Sequence, residues 1–308
     1  MTGGIGAAKI ATVESTYKAH DVESVADIYF YRPVGFQLAR FFAALRFSPS
    51  MVSLLGAAIG VGAGHLYFYR DLRLNLIGML LHLLSNALDN ADGQLARLTN
   101  RGSLQGAIVD GFADYAVFLS VYIHLALRFI AEGGSSGVWL LVLGAGLSHA
   151  AQSMTIDHYR NAYLQFVAGK RSADANSSEE VGAALKRVGR RELWKRFSLW
   201  SYLGYARRQE LLAPTLLKLR RALAGETPTW FAEQFRAACR PLVKWCNCLA
   251  TNPRMMILFA VILLGRPVWY FVIEMTVLNL LLLFVILRHE SIFRSLLAKV
   301  RARSRAPI

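Results

Sequence analysis

The sequence predicts an all-α integral membrane protein with six transmembrane helices and an amphipathic interfacial helix near its amino terminus. Three observations predict it. Hydrophobic residues make up 55% of the 308, and mean hydropathy is +0.35. The apolar positions also run on for about twenty residues at a stretch, whereas the helices of a soluble protein alternate apolar and polar faces.

Taken in order, residues 1–49 read as a cytoplasmic segment with the interfacial helix. "MTGGIGAAKIATVESTYKAHD" has no continuous apolar core before a small-residue cleavage site, so targeting is expected to rely on the first membrane helix. "VESVADIYFYRPVGFQLARFFAALRF" mixes Arg32, Arg40 and Arg46 with aromatic residues, which suits an amphipathic segment at the bilayer surface, broken by Pro33.

Residues 50–165 carry four apolar runs, about Met51 to Tyr69, Leu74 to Arg97, Leu104 to Ile130 and Val138 to Asp157. Residues 166–241 form a basic connection with short helices, and residues 242–308 hold two further runs, Leu242 to Leu264 and Pro267 to Leu287, before a basic tail. The fifth run is the weakest, because "WCNCLATNPRMM" interrupts it with polar residues and Pro253. A short re-entrant segment is the alternative there.

Basic residues set the orientation. Seventeen Lys or Arg stand against seven Asp or Glu between Arg160 and Lys244, and the tail adds Arg294, Lys299, Arg301, Arg303 and Arg305. Both regions are expected to face the cytoplasm, leaving "RDLR", "AEGGSSG" and "GRP" on the other side. In a membrane protein the net charge of +15 points to anionic lipid headgroups as the partner rather than nucleic acid. Cys239, Cys246 and Cys248 lack the spacing of a zinc site and are expected to be reduced thiols.

Within the connection, "GKRSADANSSEE" reads as a flexible loop, while "ELLAPTLLKLRRALAG" and "TPTWFAEQFRAACRPLVKW" have helical spacing and are expected to lie on the cytoplasmic surface. No repeat of fixed period is evident.

One stretch, "LDNADGQLARLTNRGSLQGAIVDGFADY" at residues 88–115, breaks the apolar pattern with four aspartates and with Arg97 close to the first pair. Asp89 and Asp92 are three positions apart and Asp110 and Asp114 four apart, so each pair shares a helical face. A tight turn between two antiparallel helices would bring all four carboxylates into one site. Ionised carboxylates near a bilayer are costly unless paired, hydrated or bound to cations. An oxygen-only set suits hard divalent ions that share their coordination with substrate phosphates. Gly93, Ala96 and Gly106 remove side-chain bulk beside the acids, so a flat base or a diphosphate can approach the backbone. A proton relay, an ion pathway or a structural pairing with Arg97 remains open on these residues alone.

Asp89, Asp92, Gly93, Ala96, Arg97, Gly106, Asp110 and Asp114 fill every position of the signature D-x2-D-G-x2-A-R-x8-G-x3-D-x3-D. In this the chain resembles the CDP-alcohol phosphotransferase family. More loosely, "FYRPVG", "ADGQLAR", "DHYRN" and "VIEMTVLNLLL" are similar to bacterial members that make inositol lipids, the phosphatidylinositol-phosphate synthases. The resemblance implies a homodimeric six-helix fold, expected in the bacterial inner membrane, with a polar cavity facing the cytoplasm. It implies that a CDP-linked donor meets an alcohol acceptor there and CMP departs. It further implies that Asp89, Asp92 and Asp110 ligate Mg2+, with Mn2+ as an alternative and two ions to a site. Asp114 would contribute to the second metal and serve as base, Arg97 would contact the donor, and Gly93, Ala96 and Gly106 would line the cytidine diphosphate pocket.

Outside the signature, Asp157, His158, Arg160 and Asn161 fall where the fourth helix should reach the cytoplasm. Arg160 is the candidate for a phosphorylated acceptor, with an interfacial anchor as the alternative. Glu274, inside the sixth run, is expected to pair with a polar group across the bundle. His65, His82, His124 and His149 lack metal-ligand spacing and read as packing or hydrogen-bonding groups. Asn86 and Asn90 each lie within one turn of a signature residue and are expected to bind substrate or bridge helices. Tyr67, Tyr69, Trp139, Trp269 and Tyr270 read as interfacial belts.

Three functions follow from these residues. The first is transfer of a phosphatidyl group from CDP-diacylglycerol to a polar alcohol, inositol phosphate foremost. The second is transfer of a headgroup phosphate from a soluble CDP-alcohol to a lipid alcohol. The third is an ion-coupled transporter that uses the aspartates as a pathway.

Overall fold

A computed structural model describes residues 20–169, 177–189, 192–223 and 227–305. The expectations for residues 1–19 and for most of the "GKRSADANSSEE" loop lie outside the described residues. Among the described residues the chain is helical throughout, with no strand. It divides into two compact units, Met1–Val121 and Tyr122–Ile308.

In the first unit, a short π-helical turn, Asp27–Tyr31, leads into α1, Arg32–Ala44, with Pro33 in the first helical turn. The expected break at Pro33 thus takes the form of a widened turn. Proline has no N–H to donate and crowds the carbonyl four residues earlier, so it is accommodated at a helix start. The buried positions of α1, namely Arg32, Gly35, Phe36, Ala39 and Phe42, repeat with helical period. Ala39 and Phe42 pack with Val52, Leu88, Ala91 and Leu95.

Helix α2, Pro49–Leu66, is capped by Ser48, whose side chain accepts from the Met51 N–H. Helix α3, Leu72–Leu98, is capped by Asp71, which accepts from the Arg73 and Leu74 N–H groups. Helix α4, Leu104–Ala131, follows after a five-residue connection in which Asn100 adopts a positive φ of 52°. Asparagine tolerates that left-handed conformation better than most residues. Gly56, Gly60 and Gly64 recur every fourth residue on α2 and let its neighbours come close. A Cβ on Gly60 would lie 2.5 Å from Ser85 Oγ and 2.6 Å from Val117 Cγ2. One on Gly64 would lie 2.5 Å from Ser120 Oγ and 2.8 Å from the Val121 nitrogen. Two hydroxyls staple the contacts, Ser85 donating to the Gly56 carbonyl and Ser120 to that of Val61, each at 2.8 Å.

The second unit contains α5, Val138–Ala168, α6, Ser178–Arg187, α7, Leu193–Leu212, and α8, Pro214–Ala222. It continues with α9, Thr229–Cys248, α10, Thr251–Leu263, α11, Trp269–Met275, and α12, Val277–Arg305. Helix α6 begins with a capping box between Ser177 and Glu180. Rings from α5, α9 and α12 form one core: Tyr159 stacks on His289 at 4.0 Å, and Phe235 on Phe293 at 5.8 Å.

Among the described residues four segments are long and apolar enough to cross a membrane: Pro49–Leu66, Gln105–Ala131, Thr229–Leu263 and Trp269–Ser304. These correspond to the first, third, fifth and sixth apolar runs of the sequence. The second and fourth runs form helices of 27 and 31 residues whose polar side chains keep them below that apolarity. The fifth run does not stop at Pro253. The turn falls at Leu249 and Ala250, and Pro253 sits in the first turn of α10, where its missing N–H is not needed. The sixth run is divided at Thr276, and its second helix continues through the basic tail to Arg305.

Candidate active site

The α3–α4 hairpin builds the site within the first unit. Asp92 lies six residues before the end of α3 and Asp110 six after the start of α4. Two helices leaving one short turn reach equal depth at equal residue counts, here roughly 9 Å from the turn at 1.5 Å per residue. Asp89, one turn deeper on α3, completes the group. Ligand atoms from Asp89, Asp92 and Asp110 all lie within 4.8 Å of one another.

Asp92 is 5% exposed, Asp89 and Asp110 are half-buried, and Asp114, one turn further along α4 than Asp110, is exposed. The expected convergence of four carboxylates is therefore seen as three within that distance, with Asp114 beside them on the same helix. Three carboxylates so close repel one another unless a proton or a cation joins them. The donor set is oxygen alone, and its separation suits a hard divalent ion such as Mg2+.

The surrounding residues fix the cluster from behind. Ser53, buried on α2, donates its hydroxyl to Asp92 Oδ2. The sequence reading missed this residue. Its only signal was a hydroxyl in an apolar run, a feature that membrane helices use to bridge neighbours. Gln94, fully buried on the opposite face of α3, donates to the Arg32 carbonyl at 3.2 Å and ties the amino-terminal segment to α3. Arg32 is itself held by Glu23, whose Oε1 lies 2.7 Å from its Nη2. Tyr31, 3% exposed, hydrogen-bonds Asn86; burial pushes its phenol above the usual value, the Asn86 bond opposes this, and the Asp27 charge adds to it. Asn86 thus bridges elements, one of its two expected roles, while Asn90 donates to the Asn86 carbonyl at 3.0 Å.

The small residues lie where the spacing placed them. A Cβ on Gly93 would meet only the Arg97 guanidinium, 3.6 Å away, and Arg97 itself is exposed. Ala96 is half-buried. The Gly106 N–H donates to Ser103 Oγ at 3.0 Å, and a Cβ there would lie 3.2 Å from the same oxygen.

Arg160 belongs to the second unit, where its Nη2 donates to Asn247 Oδ1 at 2.9 Å, and neighbouring His158 faces Gln209 Oε1 at 3.2 Å. Glu274 has the pairing expected of it. It is fully buried, with Arg254 Nη1 at 3.1 Å from its Oε1 and His149 Nδ1 at 3.2 Å. His82 meets the Tyr67 hydroxyl at 3.2 Å and His65 that of Tyr69 at 3.3 Å, so three of the four histidines have the hydrogen-bonding role expected of them. Cys239, Cys246 and Cys248 are free thiols, the first two buried.

Comparison with known proteins agrees with this geometry. The chain is 35% identical over 111 residues to an uncharacterized protein of Aquifex aeolicus (strain VF5), a match covering 34% of this chain and 53% of that protein. The chain thus spans about half the length of the curated relative it matches. The family model for CDP-alcohol phosphatidyltransferase matches from residue 46 to residue 167, which takes in α2 to α5 and the whole signature. Over residues 46–167 the chain is thus similar to the CDP-alcohol phosphatidyltransferase family.

Proposed function

We propose that the protein moves a phosphatidyl group from CDP-diacylglycerol to a polar alcohol, inositol phosphate foremost, and releases CMP. The observation that carries this reading is the gathering of Asp89, Asp92 and Asp110 within 4.8 Å inside the family's domain. In the reaction the acceptor hydroxyl oxygen attacks the phosphorus that bears the lipid, the bond from that phosphorus to the CMP oxygen breaks, and the acceptor loses its proton.

Each signature residue has a task in that exchange. Asp114, exposed beside the cluster, takes the acceptor proton. Arg97 holds the donor diphosphate through charge-assisted hydrogen bonds. Gly93, Ala96 and Gly106 leave room for the cytidine end. Asp89, Asp92 and Asp110 would hold Mg2+ or Mn2+, with Asp114 helping to hold a second ion; once bound, such ions neutralise the diphosphate and the departing CMP. Arg160 is assigned to the phosphate of a phosphorylated acceptor, since its guanidinium has donors beyond the one given to Asn247.

The same reading extends to the protein's setting. Helices α3 and α5, 27 and 31 residues long, would join the four apolar segments to make six spans. At 1.5 Å per residue they reach roughly 40 Å and 46 Å, more than a hydrocarbon core requires. We assign the site and both ends of the chain to the cytoplasmic side of a bacterial inner membrane, α1 to its surface, and the functional unit to a homodimer.

Purified protein with Mg2+ and either CDP-diacylglycerol or a soluble CDP-alcohol, offered a range of acceptors, tests the proposal through CMP release and the lipid formed. CMP formed with CDP-diacylglycerol and inositol phosphate supports it. CMP formed only from a soluble CDP-alcohol and a lipid alcohol would reverse the direction of transfer. Release under no pairing would overturn the transferase and favour the transporter.

A further inference from the structure

Helix α7 has two unlike faces. Ser198, Leu199, Leu203, Ala206 and Gln209 are buried, and Leu199 and Leu203 pack against Val181 and Val188. On the other side Leu193, Phe197, Trp200 and Leu211 are 74%, 47%, 65% and 79% exposed. At 100° per residue these four positions fall within a stripe roughly 60° wide. Trp194, 53% exposed, flanks it, with its ring 6.0 Å from that of Phe197, which in turn lies 6.4 Å from Trp200.

Soluble surfaces seldom align several large exposed apolar side chains on one helix face without a partner. Three features of the molecule identify what covers it. The exposed charges beside the stripe are Arg196, Arg207 and Arg208, with Glu210 the single acid in the helix, while Lys195 lies on the other side and pairs with Glu192 at 3.2 Å. An acidic surface complements that set, whereas a second copy of α7 would bring like charges together. Helix α7 also packs against α5 within its unit and precedes, by way of α8, the apolar segment Thr229–Leu263. It is therefore held close to whatever bilayer that segment crosses, although α7 is not itself apolar enough to cross one. Finally, a groove of about 250 Å³ opens on the stripe, lined by Leu185, Phe197 and Trp200 with Arg196 at its side. An apolar floor with a guanidinium beside it matches a phospholipid that carries a phosphate at the end of its chains.

We infer that α7 is a membrane-surface helix whose Leu193–Phe197–Trp200–Leu211 stripe enters the headgroup layer of an anionic bilayer, with the flanking Arg196, Arg207 and Arg208 meeting the lipid phosphates. The inference stands apart from the transferase reading, because it needs only that the chain resides in a bilayer. It gives part of the basic connection a role that the catalytic reading does not use.

The test uses the full chain in a Cys248→Ser background, since Cys239 and Cys246 are buried. A single cysteine is placed at F197C, and in separate proteins at L211C and at E179C, then labelled with an environment-sensitive fluorophore. The proteins are reconstituted into vesicles of phosphatidylcholine with or without phosphatidylglycerol. Nitroxide-bearing lipids should quench the labels at 197 and 211 at least about twofold more than the label at 179, and aqueous iodide should do the reverse. Leaving out phosphatidylglycerol should weaken the lipid quenching at both stripe positions. Equal access of iodide to all three labels would overturn the inference. Self-quenching at 197 that ignores the nitroxide lipids would also overturn it, in favour of a second copy of the chain. Lipid quenching that is indifferent to phosphatidylglycerol would overturn the anionic partner.

Discussion

The aspartates of the α3–α4 hairpin and Glu274 of the second unit are both acids in the interior, and they are neutralised in opposite ways. In the second unit Glu274 meets a guanidinium: Arg254 Nη1 lies 3.1 Å and 3.3 Å from its two oxygens. His149 Nδ1 sits between them, 3.2 Å from Glu274 and 2.5 Å from Arg254. Arg254 Nη2 donates to Gln152 Oε1 at 2.6 Å, and Gln152 donates in turn to the Glu274 carbonyl at 3.0 Å and to Asn279 Oδ1 at 2.7 Å. Acid, base and amides close on one another inside the chain. In the first unit acid meets acid, with three carboxylates drawn to within 4.8 Å on two helices. Like charge at such close range needs a balancing proton or cation, so the Glu274 arrangement is complete within the chain and the aspartate cluster is the candidate for a cation site.

The comparison can be broken by exchanging charge at each place. Asp92→Asn and Asp110→Asn should each reduce CMP release at least about 10⁴-fold, about 5.5 kcal/mol of transition-state stabilisation, while the protein keeps its thermal midpoint in detergent. A variant that loses its fold along with its activity would assign the acids a structural role.

Glu274→Gln should do the opposite. It leaves the Arg254 guanidinium buried without its carboxylate, at a cost of about 3–5 kcal/mol read as a lower thermal midpoint, with turnover per folded molecule unchanged. Lost turnover in fully folded protein would extend the site to this network.

Ser53→Ala leaves the acids in place but removes the hydroxyl that orients Asp92. Divalent-ion affinity should fall about 10–100-fold, and Ser53→Thr should restore it. Gly64→Ala probes only the scaffold. Its Cβ would press to 2.8 Å from the Val121 backbone nitrogen, which cannot turn aside as a side chain can, so stability should fall by about 1–2 kcal/mol with ion affinity unaltered.

The acid cluster was legible in the sequence because its information is local. The spacings Asp89 to Asp92 and Asp110 to Asp114, with a short polar turn between them, are enough to set two faces of a hairpin opposite each other. Ser53 was not legible, since it meets Asp92 across 39 positions of chain and nothing about a serine on an apolar helix says which neighbour it will face. The same limit hid Arg254 and Gln152. Glu274 was conspicuous as an acid among apolar residues, but its partners come from two other helices.

Element boundaries follow a similar rule. Pro253 drew attention as a helix breaker, yet a proline in the first turn leaves a helix intact, and the chain turns just before it. The division at Thr276 carries no proline or glycine. There the Glu274 carbonyl accepts from Gln152 on α5, a contact that no local pattern encodes.

Cation binding at the α3–α4 acids is the most direct test, and it can be read without turnover. Titration of purified protein with Mn2+, followed by electron paramagnetic resonance with and without CDP, should reveal ion uptake that tightens as CDP is added and weakens at least about tenfold in Asp110→Asn. Mn2+ bound equally well by wild type and Asp110→Asn, indifferent to CDP, would contradict the assignment of these carboxylates to a metal and a diphosphate.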